Sequence, residues 1–430
     1  MPISTPTKPE PVQSECVRCR LALPLRMAGP GESRKKWECV RCGASYLAVF
    51  VAEAEGDTRR NVRLAGGVAT TPPPAKRVRE ALTDRAPVAC AAKNAASQGL
   101  DRALHQGAPL RVANEGPAFA QKLTKPRVDP YDPEVEARLT EGFGESLGHV
   151  DSLITAIEQG ASIDAGAHRS IARNTLVQAT HDLDLFVRLG INPSAESYPG
   201  RHSLHVAMLA AGIGATLGWS ETTLIELGVG CLIHDIGMLQ VDGGVYQRDK
   251  VLSEDEYASV IRHPLHTFDM IEDHLDTVPL ASRMVAYQIH ERCNGRGYPR
   301  NRSAPLIHEA AKVAAVADVY IALVSPRPHR PAMLPYNAIE HLLYRVRDGL
   351  FDSASVRALL KTVSLFPIGS FVELSDGRVG RVLRADPADY TRPVLETWRA
   401  NELDAPAQIV DLARASDVRV NKPLEHLQAA

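Results

Sequence analysis

Between residues 132 and 363 the apolar positions recur every three or four residues, in segments long enough to be helices. Behind Asp132-Pro133, one stripe runs through Val135, Leu139, Phe143, Leu147, Val150, Ile154 and Ile157; a second runs through Ile171, Leu176, Ala179, Leu183, Phe186 and Leu189. Each stripe needs a cover. Either the following helices supply it, or residues 132–190 form a homodimer with a second copy of the chain. The run HSLHVAMLAAGIGATLGW, from His202, is apolar all round and is expected at the centre of a bundle. Ser220 caps a helix from Glu221 to about Ile233, and Ser253 with Glu256 makes a capping box for the next, which ends near His263 at Pro264. Further helices are predicted over about 280–291, 306–324 and 336–363.

Beyond Phe366 the period changes from helix to strand. FVELSDGRVGRVLRA reads as two short strands around an Asp-Gly turn, and Pro393-Val394-Leu395 and Ile409-Val410-Asp411-Leu412 are further candidates, so 366–415 is expected to be a small β-barrel-like domain. Residues 65–125 are rich in Ala, Pro and charge, with little to bury, and are expected to be a disordered linker.

Composition adds two restrictions. A formal charge of −2 gives no field that selects nucleic acid or an anionic surface. No signal core and no uninterrupted apolar run of membrane-spanning length stands in the sequence, so the expectation is a soluble, cytoplasmic protein without a membrane partner. Of the seven cysteines, Cys16 and Cys19 form one CxxC pair and Cys39 and Cys42 another, nineteen residues apart. That spacing lets four thiolates close a tetrahedral structural zinc site, a ribbon spanning 10–50.

Polar residues interrupt the apolar helices in a set order: His202, His234-Asp235, His263, His290-Glu291 and Asp318. A buried imidazole or carboxylate without a partner costs several kcal/mol, and a cluster of imidazole nitrogens and carboxylate oxygens suits a shared transition-metal ion. Asp235 is the natural bridge between two ions, because a carboxylate has two oxygens.

This order, with HDIGM at 234–238, RHPLHT at 262–267, HERCNGRGYP at 290–299 and ADVYIALVSPRPHR at 317–330, resembles the HD-GYP family of HD-domain metal phosphohydrolases over roughly 198–363. The resemblance implies a mainly α fold: an HD-domain helical bundle, extended here by helices over 126–197, with the zinc ribbon before it and the small β domain after it. It implies one or two divalent ions, Fe or Mn, and hydrolysis of the cyclic di-GMP phosphodiester by a metal-bound hydroxide in bacterial second-messenger signalling. His202, His234, Asp235 and Asp318 are implied ligands of the first ion, and His263 and His290, sharing Asp235, of the second; Asp235 and His234 carry catalysis. Arg327, Arg330 and Tyr298 are implied contacts of the cyclic dinucleotide, and the loop with Tyr298 is implied in docking GGDEF-domain proteins.

Several positions depart from the family pattern. Ile289 stands where the first histidine of a His-His pair is usual, Tyr198 where members with three ions carry glutamate, Met238 where HDIGK has lysine, and Asn294 and Ile321 where acids are usual. Two functions therefore stay open: a phosphodiesterase, or a degenerate domain that serves as a nucleotide receptor or protein-interaction module.

Overall fold

The computed structural model describes residues 12–15, 22–25, 34–38, 45–49, 90, 94–112, 118–123, 133–161, 166–190, 198–241, 252–326, 331–386, 388–415 and 417–425. It divides into two units, Met1–Arg85 and Ala86–Ala430. In the first, β1 (Val12–Glu15) pairs antiparallel with β2 (Ala22–Leu25), and β3 (Arg34–Glu38) with β4 (Ser45–Val49), as two separate hairpins. Cys16, Cys19, Cys39 and Cys42 lie outside the described residues.

The second unit carries, in chain order, α1 (Ala95–His105), α2 (Pro133–Glu158), α3 (Ala167–Ala179), α4 (Leu183–Gly190), α5 (Gly200–Thr216), α6 (Glu221–Ile233), α7 (Glu254–Val260), α8 (His263–Met270), α9 (Leu280–Gln288), α10 (Glu309–Val324), α11 (Pro335–Arg347) and α12 (Ser353–Val363). Helix α5 is its axis. From Gly200 to Ala215 every residue but Arg201 is buried, which only a sequence apolar on all sides allows. Around it pack α2, α4, α6, α10 and α12, while α3 and α9 lie against α6.

The stripe residues Leu139, Val150, Ile154 and Ile157 of α2 and Ile171, Leu176 and Ala179 of α3 are buried within the single chain. Their cover is intramolecular, while Val135, Phe143, Leu147, Leu183 and Leu189 of the same stripes are half-buried. The segment Glu221–Gln240 has the length and apolar character to cross a membrane, yet 78% of its apolar window is buried inside the protein, as expected of a core helix. The expected single helix over 336–363 is two, because Gly349 turns the chain with φ +72° and Asp352 starts α12 by accepting the Ser355 N–H at 2.8 Å.

Part of the expected disordered linker is ordered. Asn94 and Ser97 form a reciprocal capping box at the start of α1, and Leu100 and Leu104 bury its inner face. The rest of the attachment is polar. Asn94 Nδ2 donates to the Leu265 carbonyl (2.9 Å) and to Asp269 (2.7 Å) on α8, and the Cys90 N–H donates to the Pro299 carbonyl (2.8 Å). Asp101 accepts the Tyr287 hydroxyl at 3.1 Å, lies 3.4 Å from Arg300 and pairs with Arg302. Further along, the Glu309 N–H donates to the Leu110 carbonyl at 2.8 Å, and the Phe119 N–H to the Trp219 carbonyl at 2.9 Å. Cys90 and residues 94–112 thus form a strap on the bundle, tied to α8, α9 and the 290–302 loop, and 118–123 attach at Trp219. Because Asp101 satisfies two arginines that have little other exposure, Asp101→Asn is expected to lower stability by about 1–3 kcal/mol. An unchanged urea unfolding midpoint contradicts this.

The C-terminal sheet has the order β8 (Gln408–Asp411), β7 (Val394–Arg399), β6 (Arg378–Arg384), β5 (Phe371–Leu374), β9 (Val420–Leu424), all neighbours antiparallel. Asp376-Gly377 makes the expected turn, with φ +84° at Gly377. The sheet reaches past the expected end at 415, because β9 closes on β5. Its core is Phe366, Ile368, Val372, Leu374, Val382, Leu395, Leu412 and Val418. Tyr336 of α11 stacks on Phe366, and Arg384 bonds Asp182 at 2.7 and 2.8 Å, which joins the sheet to the bundle.

Candidate metal centre

Five helices deliver the polar residues to one place. His202 lies in the first turn of α5, His234 caps the C-terminal end of α6, Asp235 follows it and begins the 3-10 turn Ile236–Gln240, His263 opens α8, His290 follows α9, and Asp318 sits in the middle of α10. All six are at most 8% exposed.

Their atoms form two groups that share Asp235: His202, His234 and Asp235, and Asp235, His263 and His290, with the potential ligand atoms of each group within 4.8 Å of one another. Oδ1 of Asp235 lies 3.3 Å from Nε2 of His234, 3.3 Å from Nε2 of His263 and 3.5 Å from Nε2 of His290, while Oδ2 lies 3.8 Å from Nε2 of His202. Asp318 adds Oδ1 at 3.1 Å from His202 Nε2 and Oδ2 at 3.5 Å from His290 Nδ1.

Two of the imidazoles are fixed through their other nitrogen. His234 Nδ1 donates to the Cys231 carbonyl at 2.6 Å and His263 Nδ1 to the Val260 carbonyl at 2.7 Å, so the neutral form of each ring keeps its proton there and offers Nε2 as a lone-pair donor. The Nε2 atoms of His234, His263 and His290 are buried and make no hydrogen bond. Three orphaned imidazole nitrogens aimed at one carboxylate are what a bound cation requires, and a divalent transition-metal ion fits this donor set.

Electrostatics ties the groups together. Burial works to lower the pKa of His234, but the adjacent Asp235 carboxylate, helped by Asp318, outweighs it and raises it to about 9. Burial likewise works to raise that of Asp235, but His234, His263 and His290 hold it well below the ordinary carboxylate value. The His234 contribution to metal-free stability is therefore full below its ordinary 6.5 and lost as pH rises through about 9, whereas that of Asp235 is full above its ordinary 3.8 and lost as pH falls below it. A metal ion must displace the His234 proton, so affinity is expected to rise up to about tenfold per pH unit between pH 6 and 8. Chelator competition at several pH values measures this; pH-independent affinity contradicts it.

The remaining expected site residues divide. Tyr298 is at the centre, its ring stacked on His290 (centroids 4.9 Å apart, 20° between planes) and edge-on to His263 at 5.9 Å. Arg327 and Arg330 lie outside the described residues. Ile289, the departure beside His290, is fully buried, and Met238 packs with Val241, Tyr198, Leu252 and Val260.

Three further residues support the centre, none of them given this role by the sequence. Thr267 Oγ1 accepts the Gly237 N–H at 3.0 Å and donates to the His234 carbonyl at 3.1 Å, locking α8 to the His-Asp turn. Glu291, whose pKa burial pushes up to about 7, accepts the N–H groups of Arg300 (2.7 Å) and Arg302 (2.8 Å) and so fixes the loop behind Tyr298. The Tyr198 hydroxyl donates to Oδ2 of Asp235 at 2.7 Å. Of these only Glu291, an acid beside a histidine at the end of an apolar helix, leaves a trace in the sequence.

Comparison with known proteins agrees with this geometry. The HD-domain family profile matches residues 188–354, a range that contains all six clustered residues. This segment is an HD domain of the HD-GYP family. A cyclic di-GMP phosphodiesterase of Pseudomonas aeruginosa is 30% identical over 225 residues, 52% of this chain and 53% of that protein. The cyclic di-GMP phosphodiesterase response regulator RpfG of Xanthomonas campestris is 33% identical over 157 residues, 36% of this chain and 40% of that protein. A 3'3'-cGAMP-specific phosphodiesterase of Vibrio cholerae is 30% identical over 170 residues, 40% of this chain and 36% of that protein. The chain spans about half the length, or less, of these relatives. HD-domain phosphohydrolases bind divalent metals, and the HD domain here has a His/Asp cluster that can hold one.

Proposed function

We propose that the HD domain is a metal-dependent phosphodiesterase that hydrolyses cyclic di-GMP or a related cyclic dinucleotide, with Fe or Mn in its centre. The observation that carries this reading is the convergence of three buried, unpartnered Nε2 atoms on the one carboxylate of Asp235. In this reading His202, His234, Asp235 and Asp318 hold one ion, and His263 and His290, with Asp235 between, hold the second. When bound, a pair of divalent ions supplies an activated water and neutralises the phosphodiester.

The chain's own residues do the rest. The Nδ1 bonds of His234 and His263 keep their rings from turning, which fixes where a ligand atom meets the substrate. Glu291 holds the 298–302 loop so that the Tyr298 ring walls the site beside His290. Burial of the centre strengthens every charge interaction within it. Arg327 and Arg330 are proposed to grip the phosphates through bidentate guanidinium contacts. Four cysteines, Cys16, Cys19, Cys39 and Cys42, are proposed to hold a structural zinc, GGDEF-domain proteins to be partners of the Tyr298 loop, and the cytoplasm to be the location.

A second reading, a nucleotide receptor without turnover, is favoured by two positions: Ile289 is buried and offers no nitrogen, and Met238 belongs to an apolar cluster. Protein purified without oxygen and loaded with Fe²⁺ or Mn²⁺ separates the two when given cyclic di-GMP and 3'3'-cGAMP. Release of linear dinucleotide or mononucleotide supports the enzyme. Tight binding without product, under both metals, supports the receptor.

A further inference from the structure

We propose that Tyr198 is a positioning residue of the metal centre, setting the orientation of the Asp235 carboxylate; this rests on the reading of the centre given above. An aspartate carboxylate turns about a soft, roughly two-fold torsion, so it needs a partner to choose which oxygen faces which way. In Asp235 the two oxygens have different tasks. Oδ1 faces Nε2 of His234, His263 and His290 at 3.3 to 3.5 Å, and Oδ2 faces His202 at 3.8 Å. On the Oδ2 side the Tyr198 hydroxyl donates to the carboxylate at 2.7 Å, shorter than any of the imidazole approaches to Asp235.

The tyrosine is itself held. Its ring packs against Met238 and Val241 in a cluster with Leu252 and Val260, and its centroid lies 5.8 Å from that of His202. The apolar body is fixed by apolar neighbours and the polar tip is delivered to the carboxylate, a division of labour suited to an amphipathic side chain. Met238 thereby acquires a role: it is the floor on which the Tyr198 ring rests. A donor to a ligating carboxylate fixes its direction without itself touching the ion, and loss of such a partner commonly weakens metal affinity about 10–100-fold.

The test is Mn²⁺ binding, by chelator competition, to wild type, to Tyr198→Phe and to protein carrying p-aminophenylalanine at position 198, with thermal melting of each metal-free form. The expected result is about a 10–100-fold weaker Mn²⁺ affinity in Tyr198→Phe with an unchanged metal-free melting temperature, and recovery of most of that affinity with p-aminophenylalanine, whose amine is a donor of similar reach. Wild-type affinity in Tyr198→Phe overturns the assignment while leaving the metal centre intact. So does a loss that accompanies a lowered metal-free melting temperature and is not recovered by the amine. Wild-type protein that takes up no Mn²⁺ overturns the reading of the centre, and this inference with it.

Discussion

Asp235→Ala is expected to release metal from the HD domain and to lower turnover of a cyclic dinucleotide by about a thousandfold or more, the equivalent of several kcal/mol of transition-state stabilisation. The size of the effect follows from position. Asp235 alone belongs to both ligand groups, so its removal opens both, whereas loss of His202 or His290 opens one. The same change removes the charge that raises the pKa of His234, leaving a buried imidazole on the neutral side at pH 7. Metal content by mass spectrometry and product formation by chromatography measure the two effects in one preparation. Retained metal with retained turnover contradicts the bridging role.

Gly237→Ala is expected to destabilise the protein by about 3 kcal/mol or more and to displace His263. A Cβ on residue 237 would fall on the His263 carbonyl oxygen and 2.5 Å from the backbone nitrogen of Thr267, so backbone on α8, not a flexible side chain, has to move. The Thr267 hydroxyl, which links the Gly237 N–H to the His234 carbonyl, would be carried away with it. The glycine of the His-Asp turn is thus demanded by the close approach of α8 and not only by its place after a helix. Urea unfolding together with metal content tests this; wild-type values for both refute it.

The bundle was legible where local chemistry and periodicity agree. Ser220, Ser253 with Glu256, and the all-apolar run after His202 predict helix starts and a central helix, and α6, α7 and α5 stand there. Legibility failed where structure depends on distant partners. The strap helix α1 has only two buried leucines, and its fixation comes from Arg300, Arg302 and Tyr287, about 200 positions further along the chain. Strand β9 contains Pro423 and charged Lys422, which reads against a strand, but it lies at the sheet edge where a missing N–H is tolerated.

The candidate centre was more legible than the strap, because histidines and acids inside apolar helices stand out against their surroundings. The six residues named as implied ligands lie together in the fold, and Glu291, the seventh in the motif order, turns away to the 298–302 loop. Tyr198 was not legible in the same way: nothing local to a tyrosine before a proline tells that its hydroxyl meets an aspartate thirty-seven residues on. Its function depends on the cluster around Met238, which forms only when the 198, 238 and 252–260 segments come together.

The most direct measurement is X-ray absorption at the iron and manganese edges on protein purified without oxygen, in wild type and in Asp235→Ala. Nitrogen and oxygen scattering with imidazole signatures, lost in the variant, is the expected result, since zinc held by cysteine sulfur would be silent at these edges. Wild-type protein that is folded, free of iron and manganese, and unable to take up either would contradict the convergence of His202, His234, Asp235, His263, His290 and Asp318 on shared ions.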